Sequence, residues 1–398
     1  MKKNHCAVVL GGYVNGYAII RELREKKIEN IILIDTGKNL ASYSNLITRF
    51  FLIDDTADSL NRALQQLKNE YDKIILYPTH DQHLINLYKI HQKIEEFCYI
   101  PFNTENFMNC LDKNYQYSWC QKLGIPCPKT VYISNSMDID NILAIQFPVL
   151  LKPTNRDDLK KDIFRNLVLN NKSDFNALKD KIKYYLEHGF SFLASEIIPG
   201  DGSNIFAYVG YRSKKGMILN EWIGKKLAQY PNEFGVFASA SNQAPEIIRH
   251  QGRALLNGMN IMGIAEPEFK FDSRDGCYKL MEINLRSMMW HRVGNLSGVN
   301  LQYTQYLDSL GMKTEMQPQN TTRDIHFVYM KHELYNLFFR DYYIRTFINN
   351  VFKSDETHFA VFNLKDILPI FIDVKNSTRD ALLSSLLPII DVRTKGKK

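Results

Sequence analysis

Between Gly263 and Arg286 the chain reads GIAEPEFKFDSRDGCYKLMEINLR, gathering carboxylates, an amide and a guanidinium into 24 residues. Period-two alternation places Glu266, Glu268, Lys270 and Asp272 on one face of a first strand, with Phe269 and Phe271 on the other. Ser273-Arg274-Asp275-Gly276 is a turn cluster, so the stretch reads as a β-hairpin. On the second strand Glu282, Asn284 and Arg286 share a face, while Met281, Ile283 and Leu285 point away. One bulged residue in the turn brings Glu268 and Glu282 opposite each other. Two adjacent carboxylates repel unless a positive charge lies between them. A hard cation with oxygen ligands answers that need, and Mg²⁺ completed by substrate phosphates fits. Asn284 adds a neutral oxygen, and Arg286 adds a fixed cation for a phosphoryl or carboxylate oxygen. The competing reading is an ordinary solvent-facing charged hairpin, which charge alternation alone would favour.

These residues need a scaffold, and the preceding chain supplies an α/β one. The buried-strand run CAVVL (6–10) leads into Gly11-Gly12-Tyr13-Val14-Asn15-Gly16, a helix over Tyr17–Lys27, and the strand Ile31–Ile34 ending at Asp35. This is a βαβ unit whose helix N-terminus can meet an anion. Its glycines follow GGxxxG rather than GxGxxG, so a structural or substrate-binding domain outweighs dinucleotide binding. A helix is expected over Ser59–Asn69, a strand over Lys73–Tyr77, and a loop over 78–83 leading into another helix. His80 and His83 in that loop have no third partner for a metal and read as solvated or hydrogen-bonded. The first domain ends near residue 105.

Beyond it, Phe147–Pro153 is an apolar strand delivering Lys152, a point charge suited to a phosphate. A strand-edge lysine reaching solvent is the plain alternative. Residues 155–166 are polar, as expected of a loop over a nucleotide. Phe192–Asp201 is a strand ending in a Pro-Gly turn, able to offer backbone groups to an adenine edge and an acid to a ribose. Residues 205–223 alternate as strands, and 224–231 carries Lys225 and Lys226 into a loop. A helix follows over Pro245–Met259, and Met288–His291 leads into another ending near Gly311. The aromatic-rich stretch 324–373 suits a core or a subunit interface better than a membrane contact. Residues 385–398 read as a terminal helix running into a basic tail.

The composition is that of an ordinary globular protein: 398 residues, 45% hydrophobic and 23% charged, enough for two or three domains. The net charge of +7 is scattered, which argues against a nucleic-acid partner and suits an anionic substrate or an envelope surface. Six cysteines without CxxC or metal spacing read as buried free thiols of a reducing compartment. No signal peptide is recognisable and no run approaches the roughly 18 apolar residues of a membrane span, so the expected location is cytoplasmic.

In order along the chain, Asp112-Lys113, Leu-Gly-Ile-Pro-x-Pro (123–128), Phe-Pro-Val-Leu-Leu-Lys-Pro (147–153), Glu-Ile-Ile-Pro-Gly-Asp (196–201), Glu268 and Glu282-x-Asn284-x-Arg286 resemble the ATP-grasp superfamily. Leu10-Gly11-Gly12 through Asn15-Gly16, Tyr77-Pro78-Thr79-x-Asp81 and Gly224–Pro231 narrow this to the carboxylate–amine ligase branch that includes D-aspartate ligase-like enzymes. The resemblance implies an α/β (α+β) fold: a Rossmann-like pre-ATP-grasp domain (1–105), a two-lobed ATP-grasp domain (106–312) and a C-terminal extension (313–398). It implies that Lys113 and Lys152 hold ATP phosphates, Glu196 and the backbone of Ile197 and Ile198 line the adenine, and Asp201 lies near the ribose. Glu268, Glu282 and Asn284 would ligate Mg²⁺, and Arg286, assisted by Lys226, would act at the transferring phosphoryl group.

The implied activity is ATP-dependent amide formation through an acylphosphate, with an amino acid as carboxylate donor. The partners would be small-molecule acids and amines, an envelope precursor among them, and a homodimer is the common assembly. Leu285 stands where relatives often have proline, Gly202 where they often have a second acid, and 154–166 lacks a glycine-rich phosphate grip. The alternatives are a carbamoyl-phosphate or carboxylase reaction on the same fold, an NAD(P)-dependent oxidoreductase using the Gly11–Gly16 turn, and a non-catalytic nucleotide sensor.

Overall fold

A strand built of consecutive apolar, β-branched residues is stable only where both of its faces are covered. CAVVL and IILID meet that condition in the computed structural model, which describes residues 3–154, 163–164, 166–232 and 235–377. Strands β1 (Lys3–Leu10), β2 (Ile31–Asp35), β3 (Arg49–Leu52), β4 (Tyr71–Pro78) and β5 (Cys98–Tyr99) form one sheet in the order β3-β2-β1-β4-β5. All four pairings are parallel, with Val9 of β1 opposite Leu33 on one side and Tyr77 on the other. The connections are helices Val14–Glu25, Ala57–Lys68 and Asp81–Ile94. The second of these starts at Thr56, whose side chain accepts from Ser59 N at 3.2 Å, and buries Leu60, Leu64 and Leu67 at helical spacing. This is the Rossmann-like part expected from the sequence.

Compactness divides the chain into a unit of 1–123, 201–269 and 282–398 and a second unit of 124–200 and 270–281. In the second unit β6 (Thr130–Ile133), β7 (Val149–Pro153), β8 (Leu167–Leu169) and β9 (Phe192–Glu196) form an antiparallel sheet in the order β6-β9-β7-β8. Helix Lys172–Glu187 packs on it through Phe175, Ile182 and Leu186, which share a core with Val149, Leu151 and Phe192.

The first unit also contains β10 (Ile205–Arg212), β11 (Ile218–Tyr230), β12 (Val236–Ser241), β13 (Gly263–Asp272), β14 (Cys277–Asn284), β15 (Ile325–Val328) and β16 (Glu356–Phe359). They are ordered β14-β13-β10-β11-β12-β15-β16, and the outer ends of β13 and β14, at the turn, belong to the second unit. The hairpin expected at 273–276 is present, with Gly276 at φ +70° closing its turn.

The expectation that Lys225 and Lys226 enter a loop is corrected: both lie inside β11, paired with Ser241 and Ala240 of β12. Gly224, the first residue of that expected loop, permits close approach within the sheet, since a Cβ there would meet Ser241 O at 2.6 Å. The C-terminal stretch divides. Strands β15 and β16 and Tyr329 complete the large sheet and its core, while Phe338, Phe339 and Tyr342 are exposed. Most of the expected loop (155–162 and 165) and the basic tail (385–398) lie outside the described residues.

Candidate active site

Strand β13 carries Glu266 and Glu268 in a stretch whose first seven residues are all buried. The solvent-facing hairpin is therefore not what forms. A buried carboxylate must find a partner, and Glu268 finds Lys226 of β11; the two are ion-paired and less than a tenth exposed. Glu282, at the inner end of β14, takes Lys113 Nζ at 2.9 Å. Lys113 is the first residue of helix Lys113–Leu123. That helix is fixed against the strand by Gln116, whose Oε1 accepts Ile283 N at 3.0 Å and whose Nε2 donates to Ile283 O at 3.4 Å. The side chain thus substitutes for a neighbouring strand on β14, at the edge of its sheet. Asn284 turns its amide nitrogen to Glu266 at 3.3 Å, and His291 Nε2 meets the other oxygen of Glu266 at 2.5 Å.

The electrostatics follow from this crowding. Burial pushes the Glu268 carboxyl up, Lys226 opposes that, and Glu266 and Glu282 push it further up. For Lys226 burial works against the charge, but Glu268, Glu266 and Glu282 outweigh it and hold the ammonium above its usual range. Lys113 is raised in the same way, burial opposing and Glu282 prevailing. Three carboxylates thus share two ammonium groups.

Arg286 is held by Asp81, its Nε donating to Oδ1 at 2.7 Å. Asp81 opens helix Asp81–Ile94 at the end of β4, so the parallel sheet orients the guanidinium. Asp201 accepts from Ser203 N and Oγ at 3.0 and 2.6 Å and from Arg340 Nη2 at 3.0 Å. Although burial opposes ionisation, these hydrogen bonds hold its carboxyl below the usual range.

The remaining expected residues lie in the second unit. Lys152 is half-buried on β7, opposite Leu193 of β9. Glu196 is committed elsewhere: Arg274 Nη2 at 2.8 Å, Lys279 Nζ at 3.2 Å and Lys129 N at 3.0 Å all converge on its carboxylate. Ile197 N donates to Pro148 O at 3.1 Å, and the Ile198 side chain is buried.

The donor set can be tested against a cation on its chemistry. Among the described residues no three His, Cys, Asp or Glu side chains are gathered as a metal cage. Two carboxylates and an amide oxygen are hard ligands that leave most positions open, which suits Mg²⁺ sharing its shell with water and phosphate oxygens. The residues present fit that ion. His80 instead caps its helix, accepting from Gln82 N at 3.2 Å, and burial lowers His83 to about 4. In the glycine turn, Asp35 accepts from Gly12 N at 2.7 Å and Asn39 Nδ2 at 2.8 Å, so the acid that would read a ribose in a dinucleotide fold is committed to its own loop.

Sequence reasoning missed His291, Gln116, the Asp81–Arg286 pair and Arg340. A histidine closing the apolar run MMWH was the one available signal.

No family model matches the chain. D-aspartate ligase of Enterococcus faecium is 25% identical over 253 residues, a match covering 61% of this chain and 60% of that enzyme. The chain therefore matches less than two thirds of that relative's length. An ADP complex of an N5-carboxyaminoimidazole ribonucleotide synthetase superposes with a TM-score of 0.62 at 13% identity, covering 85% of each chain. L-amino acid ligase from Bacillus licheniformis gives 0.58 at 15% identity over 81% of this chain and 80% of that one. Biotin carboxylase from Campylobacter jejuni gives 0.60 at 12% identity over 77% and 71%.

Proposed function

We propose, from the premise that the chain has the ATP-grasp fold behind a Rossmann-like domain, that it is an ATP-dependent carboxylate–amine ligase using Mg²⁺. One observation carries this: the oxygen donors Glu268, Glu282 and Asn284 lie with Glu266 around the ammonium groups of Lys113 and Lys226, three carboxylates to two cations, with Glu268 and Asn284 buried and Glu282 about two-fifths exposed. The similarity to D-aspartate ligase and to an L-amino acid ligase supports an amino acid as the acid, with D-aspartate the first to try.

In this reading a substrate carboxylate attacks the γ-phosphate of ATP, and an amine then attacks the acylphosphate to give an amide, ADP and phosphate. Mg²⁺, when bound, neutralises charge on the phosphate oxygens. Glu268, Glu282 and Asn284 would hold that ion. By the family resemblance, Lys113 and Lys152 would hold the phosphates, Glu196 and the backbone of Ile197 and Ile198 would line the adenine, and Asp201 would lie near the ribose. Glu196 and Asp201 would have to share or release the cations they now hold. Arg286, steadied by Asp81, meets the transferring phosphoryl group without having to be ordered first, and Lys226 contributes a second fixed positive charge there.

The test is phosphate release from MgATP with D-aspartate, pooled amino acids or bicarbonate as acid and pooled amines as acceptor. Release should require both an acid and an amine, and Glu282→Ala should lower it about a hundred- to thousandfold. Release with bicarbonate alone would replace the ligase by a carboxylase-type reaction. ATP binding without turnover under every pair would leave a nucleotide sensor.

A further inference from the structure

Glu266 is outside the proposed ligand set, yet it is more deeply buried than Glu268, with no exposed surface. Its oxygens are divided between two donors, Asn284 Nδ2 at 3.3 Å and His291 Nε2 at 2.5 Å. An ionised carboxylate only accepts, so the amide atom facing it must be nitrogen and the ring atom facing it must carry hydrogen. An amide is planar, and fixing its nitrogen also fixes the direction of its oxygen. His291 is held against Trp222 and Trp290, with ring centroids 5.9 and 6.4 Å away. Its Nδ1 is buried with no hydrogen-bond partner among the described residues, so the contact to Glu266 is what the ring's polarity serves. A ring kept only for packing would do better as an apolar one, because a buried nitrogen without a hydrogen bond is destabilising.

We infer that Glu266 and His291 are positioning residues: they lock the Asn284 amide so that its oxygen, and not its NH₂, is turned to the cation. This rests on the reading of Glu268, Glu282 and Asn284 as the cation site. Without the lock the amide can turn over, and a site short of oxygen ligands would then face two N–H groups. Partners that orient a metal ligand typically affect affinity about 10–100-fold.

The experiment measures Mn²⁺ binding to the full chain by loss of the free-ion electron paramagnetic resonance signal, with a non-hydrolysable ATP analogue present and melting curves in parallel. Glu266→Gln supplies a donor where only an acceptor stood, and should weaken Mn²⁺ about 10–100-fold. Adding Asn284→Asp should restore most of that affinity, because a carboxylate accepts from the glutamine and still offers an oxygen to the ion. Asn284→Asp alone is the control, because a third carboxylate attracts the ion in any background: the lock predicts a larger gain on Glu266→Gln than on the wild type, and equal gains overturn it. His291→Phe, which keeps a ring between the tryptophans, should weaken Mn²⁺ in the same direction. Wild-type affinity in Glu266→Gln, or a double variant that melts normally and stays weak, overturns the inference while leaving the ligase reading in place. A wild-type protein that takes up no Mn²⁺ with the nucleotide overturns both.

Discussion

The strands β13 and β14 carry two clusters of charge that are satisfied in opposite ways. At the turn, Asp272 accepts from Arg274 Nε, Arg274 N and Lys279 Nζ, at 2.9, 3.0 and 2.7 Å, and the same two cations reach Glu196. The Arg274 hydrogen bonds, with Lys279 behind them and burial opposing, hold Asp272 well below the usual carboxylate range. At the inner end Glu268 lies in the field of Glu266 and Glu282 with one direct cation partner, Lys226, and burial pushes it up. Charge counts alone would not separate the two, since each has several acids and two long cations. Hydrogen bonding does: at the turn Arg274 and Lys279 each donate to both Asp272 and Glu196, whereas among the described residues Lys226 alone gives Glu268 a cationic donor, the arrangement that a cation site would need.

The strongest test of this contrast is Lys226→Met. It leaves Glu268 buried without its cation and should cost about 3–5 kcal/mol in urea unfolding. Added Mn²⁺ should restore more stability to this variant than to the wild type. Unfolding at the wild-type urea concentration would mean that Glu268 does not depend on its one cationic donor.

A smaller effect separates the clusters by pH. Asp272 is shifted down, so its stabilisation is present above the ordinary aspartate value near pH 4 and is lost as pH falls through the folded value. Asp272→Asn should therefore cost about 1–3 kcal/mol at neutral pH and much less in strong acid. Glu268, shifted up, has the opposite sign: its contribution is fully present below the ordinary glutamate value and falls as pH rises. Urea midpoints across pH that show no narrowing for Asp272→Asn would break the assignment.

The smallest expected effect is a reference value. Arg49 and Glu70 form a two-pronged ion pair at 2.7 and 2.6 Å with both side chains about two-fifths exposed. Arg49→Ala should change stability by only about 0.2–1 kcal/mol, because water already solvates both charges. A loss as large as that of Lys226→Met would show that burial is not what sets the two clusters apart.

Much of the scaffold was legible locally. Apolar runs and the turn at 273–276 each signal within a few residues, and β1, β2 and the β13–β14 hairpin formed where their patterns indicated, while the helix expected over Ser59–Asn69 starts two residues earlier, behind the Thr56 cap. Strand β11 was not legible past Gly224. Glycine reads as a break along the chain, and only the backbone of Ser241 across the sheet explains why one is needed there. The alternation along β13 correctly put Glu266 and Glu268 on one face, but it could not say that this face would be buried.

What the sequence determined by itself is the inventory and its spacing: a parallel α/β opening, Glu-x-Asn-x-Arg after a turn, and lysines at 113, 152 and 226. Tertiary structure alone decided the pairings: Lys226 with Glu268, Lys113 with Glu282, Asp81 with Arg286, and His291 with Glu266. The reason is physical. Strand and helix periodicity is set by neighbours a few residues apart, whereas the cost of burying a charge depends on whichever group the fold brings beside it. Partners that lie 25 to 205 residues apart leave no trace in local pattern.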